Sequence, residues 1–268
     1  METLGEAKAS CRIKGRCAPW LRVAKRINGT QTLYFIVNET RYDANVTLDF
    51  EEPGDVALAD PTSGEFLAVP RGKGGVKYGF APFGSAIFIV GAKADRSIPG
   101  TGGEKRLLES GWTVRRIVSH ALGEEDFDIR AIDENPVAVS LGDWRELFGE
   151  HFSGKALYAL RFDGGKGGRA TLDLGKVGWT CQVRLNGKDL PGRFFGPFRW
   201  EVELKSGENL LEVTVANMLA NAVTDPKMRR KVAKKYPPNP TYEPKQYGYD
   251  LENHESGLFG PVTLSRPQ

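Results

Sequence analysis

Along residues 180–185, Cys181, Val183 and Leu185 alternate with Gln182 and Arg184, the period-two pattern of a strand with one buried face. Asn186-Gly187 interrupts the alternation with a pair that favours positive backbone angles, so residues 183–190 are expected to double back as a hairpin. Pro191 and Gly192 end it, and residues 171–200 as a whole predict strand, turn, strand, aromatic loop, strand. That stretch is expected to form the centre of a β-sandwich.

The same alternation recurs on both sides of it. Residues 21–27 alternate, turn at Asn28-Gly29 and resume over 32–38, which predicts a second hairpin. Segments 46–50, 56–58, 66–69, 76–80 and 86–90 follow, with a reversal expected over 60–64, where each residue type favours a turn. Short strands at such regular spacing predict a sandwich or barrel rather than a parallel α/β sheet. From 91 to 103 the chain is polar, carries Pro99-Gly100 and Gly102-Gly103, and loses all periodicity, which suits a domain boundary. Strand patterning resumes at 112–118, pauses over the acidic residues 124–128, and returns at 156–162, 171–174, 200–204, 210–217 and 260–264. The expectation is therefore an all-β chain of two β-sandwich domains: an antiparallel sandwich over 1–95, a linker over 96–110, and a second sandwich over 111–268. A helix is expected at about 225–235, with Pro226 in its first turn. Its lysines and arginines, Lys227, Arg229, Arg230, Lys231, Lys234 and Lys235, read as a solvated face rather than a polyanion site. Pro237, Pro238 and Pro240 then favour an extended loop.

Composition narrows the picture. With 268 residues, 40% hydrophobic and 26% charged, the chain falls in the globular range and outside the disordered one. No apolar run approaches the roughly 20 residues that span a bilayer. Residues 1–10 carry charges where a signal peptide needs an apolar segment, so neither a signal peptide nor a transmembrane segment is expected in this chain, and the compartment stays open. The balance of 37 basic against 34 acidic residues, a net +3, gives no reason to expect a nucleic-acid or membrane partner. Three cysteines cannot all pair. Cys181 alternates with core positions and is expected to pack as a small hydrophobe, while Cys11 and Cys17 either pair or stay reduced. Cys and His lack metal-type spacing, so neither a metal nor a cofactor is expected.

Candidate chemistry concentrates in the second half. Phe194, Phe195, Phe198 and Trp200 crowd a loop that also holds Arg193, Gly196, Pro197 and Arg199. Such a cluster either closes one end of the sandwich as core or offers a stacking platform. A sugar site combines rings for the apolar sugar face with planar amides or carboxylates for the hydroxyls, because each buried hydroxyl needs a partner. Trp179, Phe194, Phe195 and Trp200 are the candidates for the first kind, and Asn217, Asn221 and Glu255 for the second. Asn217 and Asn221 serve equally well as turn caps at the end of a strand. Glu255, in the loop before the last strand and beside His254, is either a solvated loop acid or a catalytic carboxylate. His120 and His151 have no serine or acid at triad spacing, and the glycines at 164, 165, 167 and 168 lack phosphate-loop order, which leaves them a hairpin tip.

In the first half, residues 33–40, 59–65 and 81–85 resemble the β-sandwich that trails the catalytic barrel in glycoside hydrolases of the α-L-rhamnosidase type (family 106). In the second half, Leu141-Gly-Asp-Trp, Phe152-Ser-Gly-Lys-Ala-Leu-Tyr, Leu172-Asp-Leu-Gly, Val183-Arg-Leu-Asn-Gly-Lys, Val215-Ala-Asn-Met-Leu-Ala-Asn and Ser256-Gly-Leu-Phe-Gly-Pro-Val resemble, in order, a galactose-binding-like jelly roll such as the sugar-binding domain of family 2 enzymes, β-galactosidases among them. The resemblance implies that the second sandwich is such a jelly roll. It also implies that the catalytic carboxylates of those enzymes sit on a (β/α) barrel for which this sequence has neither the length nor the alternation of strands and helices. The expectation is a non-catalytic carbohydrate-binding or accessory module. Its partners would be an oligo- or polysaccharide, of plant type or other, and a catalytic barrel in a longer parent or another chain. The alternative is a glycoside hydrolase, α-L-rhamnosidase-like or β-galactosidase-like, acting alone or within a larger enzyme, with Glu255 as its catalytic candidate.

Overall fold

The structure is a computed structural model that describes residues 11–61, 64–97, 105–122, 127–235 and 253–266. It is nearly all β, and it divides into two compact units, Met1–Gly100 and Thr101–Gln268.

The first unit is a β-sandwich. One sheet runs in the order Cys11–Lys14, Ala44–Phe50, Gly75–Phe80, Arg71–Gly72; the other runs Arg96–Ser97, Phe66–Val69, Val56–Ala59, Ser85–Val90, Gln31–Asn38, Leu21–Asn28. The expected hairpin forms with register Asn28↔Gln31 through Leu21↔Asn38, turning at Gly29 (φ 59°). Alternation puts Tyr34 and Ile36 of one sheet and Leu48, Phe50 and Val76 of the other into a shared core, where the rings of Tyr34 and Phe50 lie 4.8 Å apart. The Tyr34 hydroxyl donates to Glu52, which also pairs with Lys25 at 2.6 Å. The buried side chain of Asn38 closes a corner by donating to the carbonyls of Tyr42 and Ala81.

The second unit is also a β-sandwich. Its smaller sheet runs Lys105–Leu107, Thr263–Ser265, Gly168–Asp173, Arg199–Leu204. Its larger sheet runs Phe127–Ala131, Thr113–Leu122, Gly154–Asp163, Glu208–Ala216, Thr180–Leu185, Lys188–Asp189, with Val137–Ala138 pairing beside Phe127–Ala131. The inward positions of both sheets, among them Tyr158, Leu160, Leu172, Val202, Leu211 and Val213, form one apolar cluster with Trp112, whose indole N–H donates to the carbonyl of Leu108. The Asn186-Gly187 hairpin forms as expected, and Leu185 pairs with Lys188 across it. Cys181 is buried in this core as a free thiol, and desolvation pushes its pKa up to about 12.

Four features depart from the sequence expectation. Phe127–Ala131 is a strand paired with Val118 through Leu122, beginning inside the pause expected over 124–128; Phe127, Ile129 and Ala131 do alternate with Asp128 and Arg130, but over only five residues directly after an acidic run. Besides the expected helix, found at Pro226–Lys235, there are single turns at Arg145–Phe148 and Ala220–Val223, too short to carry a helical period. The final strand is split into Gly257–Gly260, which pairs with Lys176–Gly178, and Thr263–Ser265, which pairs in the smaller sheet. Arg96–Ser97 and Lys105–Leu107, inside the segment expected as a linker, each pair with a strand of their own unit. The loop expected at 237–240 lies outside the described residues.

Leu211 is fully buried and touches both sheets' core cluster. Leu211→Ala is expected to destabilise the second unit by about 2–5 kcal/mol, read as a lower denaturant midpoint. An unchanged midpoint would contradict this core.

Candidate functional site

The strand register gathers several loops at one end of the second sandwich. Thr180 pairs with Ala216, Lys155 pairs with Ala216 from the other side, and Ser119 pairs with Gly154. The segments that enter or leave these strands, 149–154, 174–180 and 217–225, therefore lie together. A bridge between Cys181 and Arg193 brings the aromatic loop to the same end.

At the centre of this end stands the hydroxyl of Ser256, which is fully buried. It accepts from the amide of Asn217 at 3.1 Å and from the amide of Asn221 at 3.2 Å, and donates to the carbonyl of His254 at 3.0 Å. Asn221 also donates to the His254 carbonyl at 2.7 Å and accepts the His254 N–H at 3.1 Å. Asn217 donates to the Phe152 carbonyl and accepts the Gly154 N–H, each at 2.9 Å. The two amides thus act as struts between the strand end at 216, the start of Gly154–Asp163 and the segment 253–256. Asp143 extends the cluster: it takes the Ser256 N–H at 3.3 Å and holds the Arg145 guanidinium at 2.6 Å. Arg145 in turn donates to the side chain of Asn253 at 2.8 Å. Burial pulls the Asp143 pKa up, but the Arg145 guanidinium and the N–H groups of Arg145 and Ser256 outweigh it and hold the carboxyl below its ordinary value. Gly257 follows with φ 128°, and a Cβ there would sit 2.6 Å from the Gly142 carbonyl oxygen, so only glycine fits.

The candidate residues separate into three groups. Phe194 and Phe195 are exposed, at 77% and 52%. Trp179 is half-buried, its ring edge-on to His254 at 5.3 Å, and its backbone sits at φ 149°, where side chains other than glycine are strained; its indole N–H is buried without a hydrogen-bond partner among the described residues. Glu255 is exposed and paired with Lys176 at 2.5 Å, while that lysine lies over the Phe259 ring. Trp200 and Asn221, by contrast, belong to the interior. Trp200 is 5% exposed, pairs across the smaller sheet with Leu172, and donates its indole N–H to the Pro191 carbonyl at 2.8 Å; the guanidinium of Arg193 covers its ring. No ring face is left for a ligand there. Asn221 is fully buried and its amide is occupied by the 253–256 segment, as the amide of Asn217 is by its own neighbours. Ser256, Asp143, Arg145 and Asn253 were not singled out from the sequence as candidates, since the segments 143–145 and 253–256 meet only through contacts across more than a hundred residues. Among the described residues no group of three or more His, Cys, Asp or Glu is placed to hold a metal ion.

No family model matches the chain. Over 142 residues, 43% of this chain, it is 34% identical to a putative beta-glucuronidase from Formosa agariphila, of which the match covers 12%. The solved structure of the rhamnosidase from Novosphingobium sp. PP1Y matches 95% of this chain with a TM-score of 0.59 and 24% identity, over 24% of that enzyme's chain. Part of the chain is thus similar in sequence to that glucuronidase, and its β-sandwich fold is shared with a region of the rhamnosidase. This β-sandwich region spans between an eighth and a quarter of the length of the two proteins it matches.

Two measurements check the geometry of its loop end. Asn221→Ala removes three hydrogen bonds, takes the partner from the N–H of His254 and leaves its carbonyl only the Ser256 hydroxyl, so a loss of about 2–4 kcal/mol in unfolding free energy is expected. Asp143 is more acidic folded than unfolded, so its contribution is present above the usual carboxylate pKa of about 4 and is lost as pH falls through the folded value. Wild type should therefore lose its advantage over Asp143→Asn below about pH 4; a stability gap that stays constant down to acid pH would show that Asp143 is not held this way.

Proposed function

We propose that this chain is a non-catalytic carbohydrate-binding or accessory region of the kind found beside the catalytic part of rhamnosidase- and glucuronidase-type glycoside hydrolases. One observation carries the binding half of this reading. Phe194 and Phe195 hold two adjacent rings out in solvent at an end of the sandwich that is otherwise packed and hydrogen-bonded. Exposed rings on a rigid frame suit the apolar face of a sugar, and stacking contributes about 1 kcal/mol per ring, so the affinity expected is weak. Trp179, strained at the same end, and Glu255, at the surface, are the further contacts proposed. The accessory half is supported by the match of nearly the whole chain to a quarter of a rhamnosidase. Its natural neighbour would then be a catalytic barrel, in a longer parent or in another chain, acting on the same oligo- or polysaccharide.

Glycoside hydrolysis usually needs a carboxylic acid that stays protonated and a second carboxylate about 5–10 Å away. Asp143, held ionised by Arg145, is unsuited to the first role, and Glu255 is engaged by Lys176. The chain is accordingly expected to turn over neither aryl glycosides nor pectic oligosaccharides. Turnover that Glu255→Gln abolishes would establish the enzyme instead. For binding, galactose- and rhamnose-containing oligosaccharides titrated against Phe194→Ala and Phe195→Ala should bind about fivefold to tenfold more weakly than to wild type. Both rings are exposed, so the variants are expected to stay folded; unchanged affinity would remove the aromatic platform.

A further inference from the structure

The larger sheet of the second unit has an outer face as ordered as its inner one. Register alone aligns two rows of outward side chains across it. Arg115 pairs with Leu157, Leu157 with Thr214, and Thr214 with Gln182; in the next row Thr113 pairs with Ala159, Ala159 with Glu212, Glu212 with Arg184, and Arg184 with Asp189. Leu157 and Thr214 in one row and Ala159 in the other are apolar or short, while the long polar side chains of Arg115, Gln182, Glu212 and Arg184 stand beside them. A bulge between Arg116 and Val118 bends the strand at one side, and the Ile132 N–H bonds back to the Ile117 carbonyl, which raises an apolar wall there. The result is a groove of about 390 Å³ within the second unit, lined by Arg115, Gln182, Arg184, Asp189, Glu212 and Thr214 over an apolar side of Ile117, Ile132 and Leu157.

The polar groups in this groove are paired in charge and only partly engaged. Arg184 grips Asp189 at 2.9 Å, and Arg115 reaches Asp133 at 3.7 Å. Two guanidinium groups face two carboxylates, Asp189 and Glu212, so the lining is electrically balanced. The side chains of Gln182, Glu212 and Thr214 make no hydrogen bond among the described residues. Groups of this kind, half-buried at Glu212 and Thr214 and exposed at Gln182, donors and acceptors side by side without net charge, complement a ligand dense in hydroxyls rather than an anion or an apolar helix. The volume falls in the range of small-ligand sites.

We propose that this groove is a second carbohydrate site, distinct from the loop end, which takes a stretch of neutral oligosaccharide along the sheet. Glu212 and Gln182 accept and donate to ring hydroxyls, the Arg184–Asp189 pair offers a fixed donor and acceptor at one rim, and Leu157 meets a sugar's apolar face. The proposal rests on the carbohydrate-binding reading above, and the test separates the two. The whole chain, labelled with ¹⁵N, is titrated with neutral galactose- and rhamnose-containing oligosaccharides and, in parallel, with oligogalacturonide. Saturable shifts of the amides of Gln182, Glu212 and Thr214 are expected with the neutral ligands, with the midpoint raised about tenfold in Glu212→Ala and raised again in the exposed Gln182→Ala, which serves if the first variant misfolds. Shifts confined to the amides of Phe194, Phe195 and their neighbours would overturn the groove and leave the loop-end site standing. Shifts nowhere would overturn both, and oligogalacturonide binding the groove more tightly than the neutral ligands would overturn its ligand class.

Discussion

A slip of one residue between Gly154–Asp163 and Glu208–Ala216 would turn the second unit inside out. These two strands pair over nine consecutive positions, and their side chains alternate strictly between faces. On the inner face stand Ala156, Tyr158, Leu160 and Phe162 opposite Val215, Val213, Leu211 and the buried amide of Asn209; on the outer face stand Leu157 and Ala159 opposite Thr214 and Glu212. The ladder therefore fixes two things at once, the apolar core and the spacing of polar groups on the solvent face. The buried face is what locks the register, because moving it would expose every one of those apolar side chains.

The same ladder determines where the loop end begins. Its terminal pair, Lys155 with Ala216, places Asn217 one residue beyond the sheet, and the Asn217 amide then bonds both Gly154 and Ser256. Further in, the Tyr158 hydroxyl takes the N–H of Leu258, and burial among apolar groups pushes its pKa up to about 12, so it stays a neutral partner throughout the ordinary pH range. Gly257, pressed against Gly142 and Tyr158, lets the chain pass between them. Packing, rather than surface chemistry, thus decides which of the polar residues here face inward. Phe194 and Phe195 remain outside because Trp200 and Phe198 on the same loop already fill the interior position.

Much of the fold is legible in the sequence wherever alternation meets a strong turn. Leu21–Asn28 with Gln31–Asn38, and Thr180–Leu185 with Lys188–Asp189, each join across an Asn-Gly pair, and both appear as expected. Phe127–Ala131 was passed over because its alternation of Phe127, Ile129 and Ala131 with Asp128 and Arg130 is only five residues long and follows directly on an acidic run with no strong turn pair to mark it. The site divides in the same way. The burial of Trp200 was available from the alternation of Arg199, Glu201 and Glu203 with Trp200, Val202 and Leu204, whose apolar members all point inward. The roles of Asn217 and Asn221 were left open between cap and ligand contact, since their partners at 152, 254 and 256 are brought near only by the completed fold. The groove on the outer face could not be read at all: Gln182, Arg184, Glu212 and Thr214 look like ordinary solvated alternates until four strands distant in sequence are laid side by side.

The thiol of Cys181 gives the second unit a reporter of its own opening. It lies on Thr180–Leu185, flanked by Val215 of the neighbouring strand and bridged on its other side to Arg193, and in that setting it is protonated and sheltered. Alkylating reagents attack thiolates, so their reaction with this sulfur is slow until the strand parts from its neighbours. The rate at which Cys181 is modified therefore measures how often the sandwich breathes at the side next to the loop end, without any label added to the chain.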